Sequence, residues 1–110
     1  MDLSDYQYAA HETSHNTVIG DSPVLYPVLG LAGEAGELAN KIKKIYRDSS
    51  GQPSIDERDA VIDELGDILW YVAEIATQLK VDLSTVAKAN LGKLASRQQR
   101  GVIGGSGDNR

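Results

Sequence analysis

Residues 30–44 read GLAGEAGELANKIKK, and residues 63–76 read DELGDILWYVAEIA. Each stretch carries two acidic residues at i, i+3 spacing, and the pairs are Glu34 with Glu37 and Glu64 with Asp67. On a helix such residues lie on one side, with Cβ atoms about 5–6 Å apart, so each pair presents two carboxylates in one direction. Carboxylates that face one another repel unless a cation lies between them. The two stretches therefore predict a metal site assembled from two helices.

A single acidic pair on a helix is usually part of the solvated surface. Here small and apolar residues flank both pairs, including Ala35 and Gly36 around the first and Leu65 and Gly66 around the second. Carboxylates are ligands for Mg²⁺ or Mn²⁺, which combine them with waters and phosphate oxygens. The first hypothesis is phosphate chemistry that depends on Mg²⁺, with Mn²⁺ as a substitute.

The composition narrows the class of protein. A chain of 110 residues with 25% charged and 41% apolar residues is expected to form one globular domain. The net charge of -5 argues against a nucleic acid polymer as partner, although a bound metal reverses the local sign for a small phosphorylated substrate. The absence of cysteine excludes disulfides and thiolate ligands. Without a long apolar run or a basic leader, we expect a cytoplasmic protein with no membrane partner.

Helical periodicity predicts the first two helices. The first runs from Leu3 to about Asn16 with Ser4 as its N-cap. The second begins at Ser22-Pro23, because serine caps free N–H groups and proline loses no needed donor at the first helical position. It extends to Arg47, and Pro27 is expected to kink it or delay its first turn.

A loop at residues 49–53 precedes the third helix, for which Ser54 and Glu57 form a capping box. Asp82 is expected to cap a last helix from residue 83 to about residue 99. These elements predict an all-α bundle in which the two acidic helices pack antiparallel and the last helix lies alongside. A core of this size, without phenylalanine, is expected to be completed by dimerisation.

The last helix and the tail carry candidate anion-binding groups. Asn90, Lys93 and Arg97 fall at i, i+3 and i+7, so an amide and two cations share one face. Such a stripe alone is more often solvated surface, but beside a metal cluster it complements phosphate charge. The tail, residues 101–110, holds four glycines and ends in Arg110. It is interpreted either as a frayed terminus or as a backbone cradle with Arg110 as a clamp, ordering when a phosphate ligand binds.

Together with residues 90–101, NLGKLASRQQRG, the two acidic stretches resemble the MazG-like all-α nucleoside triphosphate pyrophosphohydrolases. The resemblance covers roughly residues 23–110. It implies one MazG-like domain over 1–110, with 101–110 as a Gly-rich tail, and cleavage of nucleoside triphosphates to the monophosphate and pyrophosphate. It implies a homodimer or a dimer of dimers. It also implies Mg²⁺ ligands and phosphate contacts at the following residues: Glu34, Glu37, Glu64 and Asp67 for the metal, and Lys93 and Arg97 for the phosphate chain.

Metal-assisted hydrolysis at the α-phosphorus is the expected mechanism. Glu37 is preferred to Glu34 as general base, and Lys93 offsets charge on the departing phosphates together with Arg97. Tyr71 lies one turn after Asp67 and is expected near the sugar of the substrate. Its neighbour Trp70 is expected in the core.

Two alternatives stay open. One is phosphoribosyl-ATP pyrophosphatase, from the same superfamily, and the other is a non-catalytic helical bundle that binds a metal or a partner protein. No side chain in the sequence identifies the edge of a base. A purine deoxynucleotide such as dGTP is expected from the likeness of the compact chain and its tail to phage members of the group, and dUTP or dCTP stays open.

Overall fold

The computed structural model describes all residues from 1 to 110. It contains four helices, which are α1 (Leu3–His11), α2 (Leu25–Ser49), α3 (Ile55–Gln78) and α4 (Leu83–Arg100). An isolated antiparallel bridge between Ile19 and Ser22 is the only β pairing. The predicted all-α class is therefore confirmed. None of the helices combines the length and the apolar character that a bilayer crossing requires.

The N-terminal helix begins with a different cap from the one predicted. Asp2 accepts a hydrogen bond from the backbone N–H of Asp5, whose side chain accepts one from the backbone N–H of Asp2 in return. Ser4, the predicted cap, instead donates its hydroxyl to Oδ1 of Asp82 at 2.7 Å. The prediction for Ser4 was wrong because Asp2, two residues earlier, is the N-cap and forms a reciprocal capping box with Asp5. Ser4 instead links α1 to the N-terminus of α4.

The end of α1 and the start of α2 also differ from the predicted positions. α1 stops at His11 well before Asn16, which has a left-handed φ of 52° that no helix can continue through. α2 starts at Leu25, whose N–H donates to the hydroxyl of Ser22 at 3.3 Å. Pro27 lies in the first turn, where its missing N–H has no helical partner, so α2 runs on to its end at Ser49.

The second and third helices form an antiparallel hairpin, as predicted. Successive positions along α2 meet earlier and earlier positions along α3, as Lys41 meets Glu64 and Ser49 meets Glu57. The hairpin packs closely at Gly30, because a Cβ there would lie 2.2 Å from the ring of Tyr71. Glycine at this position lets the tyrosine lie flat against α2.

The fourth helix departs from the predicted bundle. No Cα atom of α4 lies within 8 Å of a Cα atom of α2, and α4 packs only against α1 and α3. The radius of gyration is 16.8 Å, against about 13 Å for a compact domain of this length. The prediction that the last helix lies alongside α2 and α3 was therefore wrong for the single chain, since α4 leaves the hairpin once Leu83 has joined the core formed with Ala73 and Ala76.

The chain leaves much apolar surface unpaired. Only nine of the 110 residues are buried. Several large side chains of the predicted apolar stripes are more than one-third exposed, namely Leu25, Val28, Ile42, Leu65, Leu69, Leu91 and Leu94. Apolar surface on this scale is typical of chains that bury it against a partner.

Candidate metal centre

Three carboxylates meet where α2 crosses α3. Glu34 comes from α2, and Glu64 and Asp67 come from successive turns of α3. One oxygen atom from each lies within 4.8 Å of the others, which is a suitable arrangement for holding a cation. Glu37, one turn further along α2, is exposed and is not among these three. The structure thus brings together three of the four predicted ligands.

Glu64 is the buried member of the cluster, with 7% of its surface exposed. Its Oε1 accepts a hydrogen bond from Nζ of Lys41 at 2.7 Å. Its Oε2 is shielded from solvent and has no hydrogen-bond partner. Leaving a buried carboxylate oxygen unpaired is costly, and a cation satisfies it. The donor set of hard oxygens and the orphan atom both fit a divalent metal ion.

The three carboxylates do not hold protons equally. The pKa of Glu34 is raised, first because only its protonated form can donate a hydrogen bond to Glu64, then by burial and by repulsion from the neighbouring carboxylates. The pKa of Glu64 is lowered, first by the hydrogen bond from Lys41 and then by the one with Glu34. The pKa of Lys41 is raised, mainly by the same contact with Glu64. Glu64 therefore carries the charge of the pair, and Glu34 is the group that takes up a proton first.

An open cavity of about 390 Å³ borders the cluster. Glu34 and Asp67 line it together with Thr13, Trp70 and Tyr71. The two aromatic rings stand edge to face at 87°, with centroids 5.0 Å apart. The indole N–H of Trp70 donates to the hydroxyl of Thr13 at 2.8 Å, which fixes the ring in place. Trp70 is thus a wall of the cavity and not the core residue that the sequence suggested.

The predicted phosphate-binding cations lie on α4, away from the three carboxylates. Lys93 and Arg97 on α4 both pair with Oδ1 of Asp108 in the tail, at 3.2 and 2.9 Å. Arg97 also donates to the backbone carbonyl of Asp108 at 2.8 Å and is 6% exposed. The hydrogen bonds from Arg97 and then Lys93 lower the pKa of Asp108. Asn90 is exposed and does not line the cavity around these residues.

The C-terminal tail folds back on the end of α4. The guanidinium group of Arg110 donates to the carbonyl oxygens of Val102, Ile103 and Gly107. Arg100 donates to the carbonyl oxygen of Arg110 at 2.8 Å. The tail therefore packs on the end of α4, and Arg110 holds it together through its own backbone.

The acidic and the cationic groups do not share a cavity within one chain. The cavity beside Glu34 and Asp67 and the polar cavity of about 390 Å³ beside Lys93 and Arg97 have no lining residue in common. The predicted site residues thus form two clusters on separate parts of the molecule.

Sequence reasoning missed three contributors to these clusters. Lys41 follows Glu34 by seven residues and Glu37 by four, so helical spacing would have placed it on the same face. Asp108 lies in a glycine-rich tail, where no periodicity indicates what it contacts. Thr13 reaches the cavity only because α1 packs on α3, and no local signal marks it.

The fold and the cluster define an all-helical protein in which three carboxylates that could hold a cation lie beside an aromatic-walled cavity. The chain belongs to the MazG family: the MazG nucleotide pyrophosphohydrolase domain matches residues 26–102. This match covers both acidic helices and the whole of α4. Members of the family generally use a divalent metal.

A phage protein is similar over the full length. The Gene 37 protein of Mycobacterium phage L5 is 52% identical over 114 residues, with all of this chain and all of that protein covered. The name of that relative states no activity. No solved structure matched the chain.

Proposed function

We propose that this protein hydrolyses nucleoside or deoxynucleoside triphosphates to the monophosphate and pyrophosphate with the help of Mg²⁺. The observation that carries the proposal is the orphan oxygen of Glu64, which is buried among carboxylates at the edge of a cavity large enough for a ligand. The match to the MazG domain supports the reaction class. A helical bundle that binds only a partner protein has no comparable need for a shielded, unpaired carboxylate.

Glu34, Glu64 and Asp67 would hold the metal ion. A bound Mg²⁺ supplies a more acidic water and polarises phosphate oxygens. Glu37 is the proposed general base and fourth ligand, and its exposed position one turn from Glu34 supports access to solvent water. Its carboxylate would take the proton that leaves the attacking water. Mn²⁺ is the expected substitute, since both ions favour oxygen ligands.

The cavity wall suggests where the nucleoside binds. Tyr71 is fixed by its contact with Gly30, and Trp70 by its hydrogen bonds to the end of α1. Aromatic faces next to a phosphate site stack on bases or pack against sugars. We propose a purine deoxynucleotide such as dGTP as substrate, a choice that rests on the likeness to phage members of the family.

A second copy of the chain is proposed to complete the site. Lys93 and Arg97 belong to a cavity separate from the carboxylates, and Asn90 and Arg110 lie in the same outlying part of the molecule. The exposed apolar stripes of α2, α3 and α4 support a dimer or a dimer of dimers. In such an assembly the partner's α4 would bring cations to the phosphates that the metal does not neutralise.

The first experiment is an assay of pyrophosphate and monophosphate release from each canonical NTP and dNTP, with Mg²⁺, Mn²⁺ or EDTA. We expect turnover of one or a few nucleotides, dGTP among them, which EDTA abolishes. The variant Glu64→Gln keeps the shape of the side chain and removes the charge, so it serves as the inactive control. Sedimentation equilibrium checks the assembly, and a monomer at micromolar concentration would contradict the shared site.

The same assay separates the alternatives. Turnover of phosphoribosyl-ATP alone would select the histidine-synthesis reaction in place of the proposed one. Release of inorganic phosphate instead of pyrophosphate would place the cleavage at a different phosphorus. No product from any of these compounds would favour the non-catalytic bundle.

A further inference from the structure

Lys41 inserts a positive charge into the edge of the carboxylate cluster. Its Nζ donates to Oε1 of Glu64 at 2.7 Å and lies 3.4 Å from the carbonyl oxygen of Ala60. The lysine side chain is 34% exposed, whereas that of Glu64 is 9% exposed. The ammonium group thus reaches from α2 to α3 and neutralises the most buried carboxylate of the site.

The lysine uses one oxygen of Glu64 and leaves the other. Oε2 is buried and has no partner, so it stays available as a ligand while Oε1 is bound to Lys41. Lysine and metal ion therefore do not compete for the same atom. They would bind the same carboxylate together, and the ammonium group would remain one carboxylate away from the ion.

Two effects of this arrangement oppose each other. Fixing the carboxylate in one rotamer favours metal binding by about two- to tenfold, because less side-chain freedom is lost. Repulsion between the ammonium group and a doubly charged cation weakens binding by up to about a millionfold for charges about 4 Å apart at an effective dielectric of about 20. Solvent at the partly exposed lysine reduces the repulsion, yet it remains the larger effect.

We propose that Lys41 is the resident counter-ion of the cluster: it neutralises Glu64 in the nucleotide-free protein and weakens the binding of a free divalent cation. This inference rests on the proposed metal-dependent function. The phosphates of a substrate would compensate for the ammonium charge. The ion therefore binds more favourably together with a nucleotide than alone.

Calorimetric titration of Mn²⁺ into the full chain, without nucleotide, tests the proposal. We expect Lys41→Met to lower the Kd for Mn²⁺ by about tenfold. Lys41→Arg retains the charge and is expected to keep the wild-type Kd. Lys43→Met is the matched control, since it removes the same charge from an exposed position on the same helix.

Thermal unfolding supplies a second readout. In EDTA, Lys41→Met is expected to have a lower Tm than the wild type, because Glu64 then lacks its counter-ion. Saturating Mn²⁺ should narrow this difference, because the ion takes over the neutralisation. A lysine that only ties α2 to α3 would give the same difference in both buffers, which would overturn the proposal.

The outcomes also separate this proposal from the proposed function. An unchanged or raised Kd in Lys41→Met, with normal Mn²⁺ binding by the wild type, would overturn the counter-ion role and leave the metal site standing. Failure of Lys41→Met and of the wild type to bind Mn²⁺ would overturn the counter-ion role, whereas pyrophosphate release that EDTA does not affect would overturn the metal-dependent function. If Lys41→Met does not fold, Lys41→Gln removes the same charge with a polar side chain and is measured in its place.

Discussion

Two charged clusters of this protein are each neutralised by a residue of the opposite sign from the same chain. The acidic cluster has Lys41 on Glu64, and the cationic cluster has Asp108 on Lys93 and Arg97. The first lies inside a packed helix pair, and the side chain of its counter-ion Lys41 is 34% exposed. The second lies on an outlying helix, and the side chain of Asp108 is 78% exposed. The difference indicates a rigid acidic cluster and a labile cationic cluster.

The contrast follows from how each cluster is supported. α2 and α3 pack along their length, so the positions of Glu34, Glu64 and Asp67 are fixed by the helices that carry them. Lys93 and Arg97 are fixed by one helix and by the tail that folds onto it. The acidic cluster is preorganised, so binding a ligand there costs little free energy of rearrangement. The cationic cluster must first release the carboxylate of Asp108 before it can bind another anion.

The largest expected effect is at the acidic cluster. The carboxylate of Asp67 is one of the three predicted ligands that lie close together. The variant Asp67→Asn keeps the size of this side chain and removes its charge. We expect the rate of pyrophosphate release to fall by about a thousandfold or more, because the metal-assisted step loses a ligand. Steady-state kinetics at saturating Mg²⁺ measures the change.

Asp59→Asn is the matched control, because Asp59 is an exposed acidic residue on the same helix. It is expected to retain wild-type turnover. Wild-type turnover in Asp67→Asn would remove that residue from the site and break the contrast between the clusters.

A smaller effect is expected at the cationic cluster. Lys93→Ala removes one of two cations from an exposed helix, so the fold should not change. We expect kcat/KM to fall by about ten- to a hundredfold, because Arg97 still offsets part of the phosphate charge. Lys88→Ala, at another exposed lysine of α4, is the control. Equal kinetics for the two variants would assign Lys93 to the solvated surface.

Most of the fold could be predicted from local signals. The capping box of Ser54 and Glu57, together with the apolar spacing, predicted α3 and the hairpin. These two residues interact within one turn and need no distant contact. The course of α4 could not be predicted, since its stripe of Val86, Leu91 and Leu94 is equally suited to packing within the chain or against a partner. Periodicity shows which face is apolar but not what covers it.

The candidate site divides in the same way. Helical spacing predicted that Glu34 would meet Glu64 and Asp67, because all three lie on regular helices. The oppositely charged residues that neutralise the two clusters, Lys41 and Asp108, were not predicted, although Lys41 shares the helical face of Glu34. Asp108 reaches Arg97 through a turn of the tail at Gly107, which has a left-handed φ of 82°. The sequence of such a tail indicates flexibility but not the direction of the turn.

A still smaller effect is expected on releasing the internal anion. Asp108→Asn removes the charge that occupies Lys93 and Arg97. We expect inorganic tripolyphosphate to bind about three- to tenfold more tightly, since it no longer displaces a carboxylate. Calorimetry in EDTA measures this without turnover or metal. Glu12→Gln, at an exposed position distant in sequence, is the charge control. Weaker binding of tripolyphosphate by Asp108→Asn would show that the aspartate helps to bind the anion.

The smallest expected effect is the detachment of the tail by acid. Hydrogen bonds from Arg97 and Lys93 lower the pKa of Asp108 below its ordinary value of about 3.9. A lowered folded-state pKa means that the stabilisation is complete above the unfolded value and is lost as the pH falls through the lowered one. Amide NMR signals of residues 106–110 should therefore stay constant from pH 7 to about pH 4 and shift below it. Asp108→Asn should show a smaller step, because only other carboxyl groups then titrate in this range. No step in the wild type would mean that the backbone contacts of Arg110, and not the charge of Asp108, attach the tail to α4.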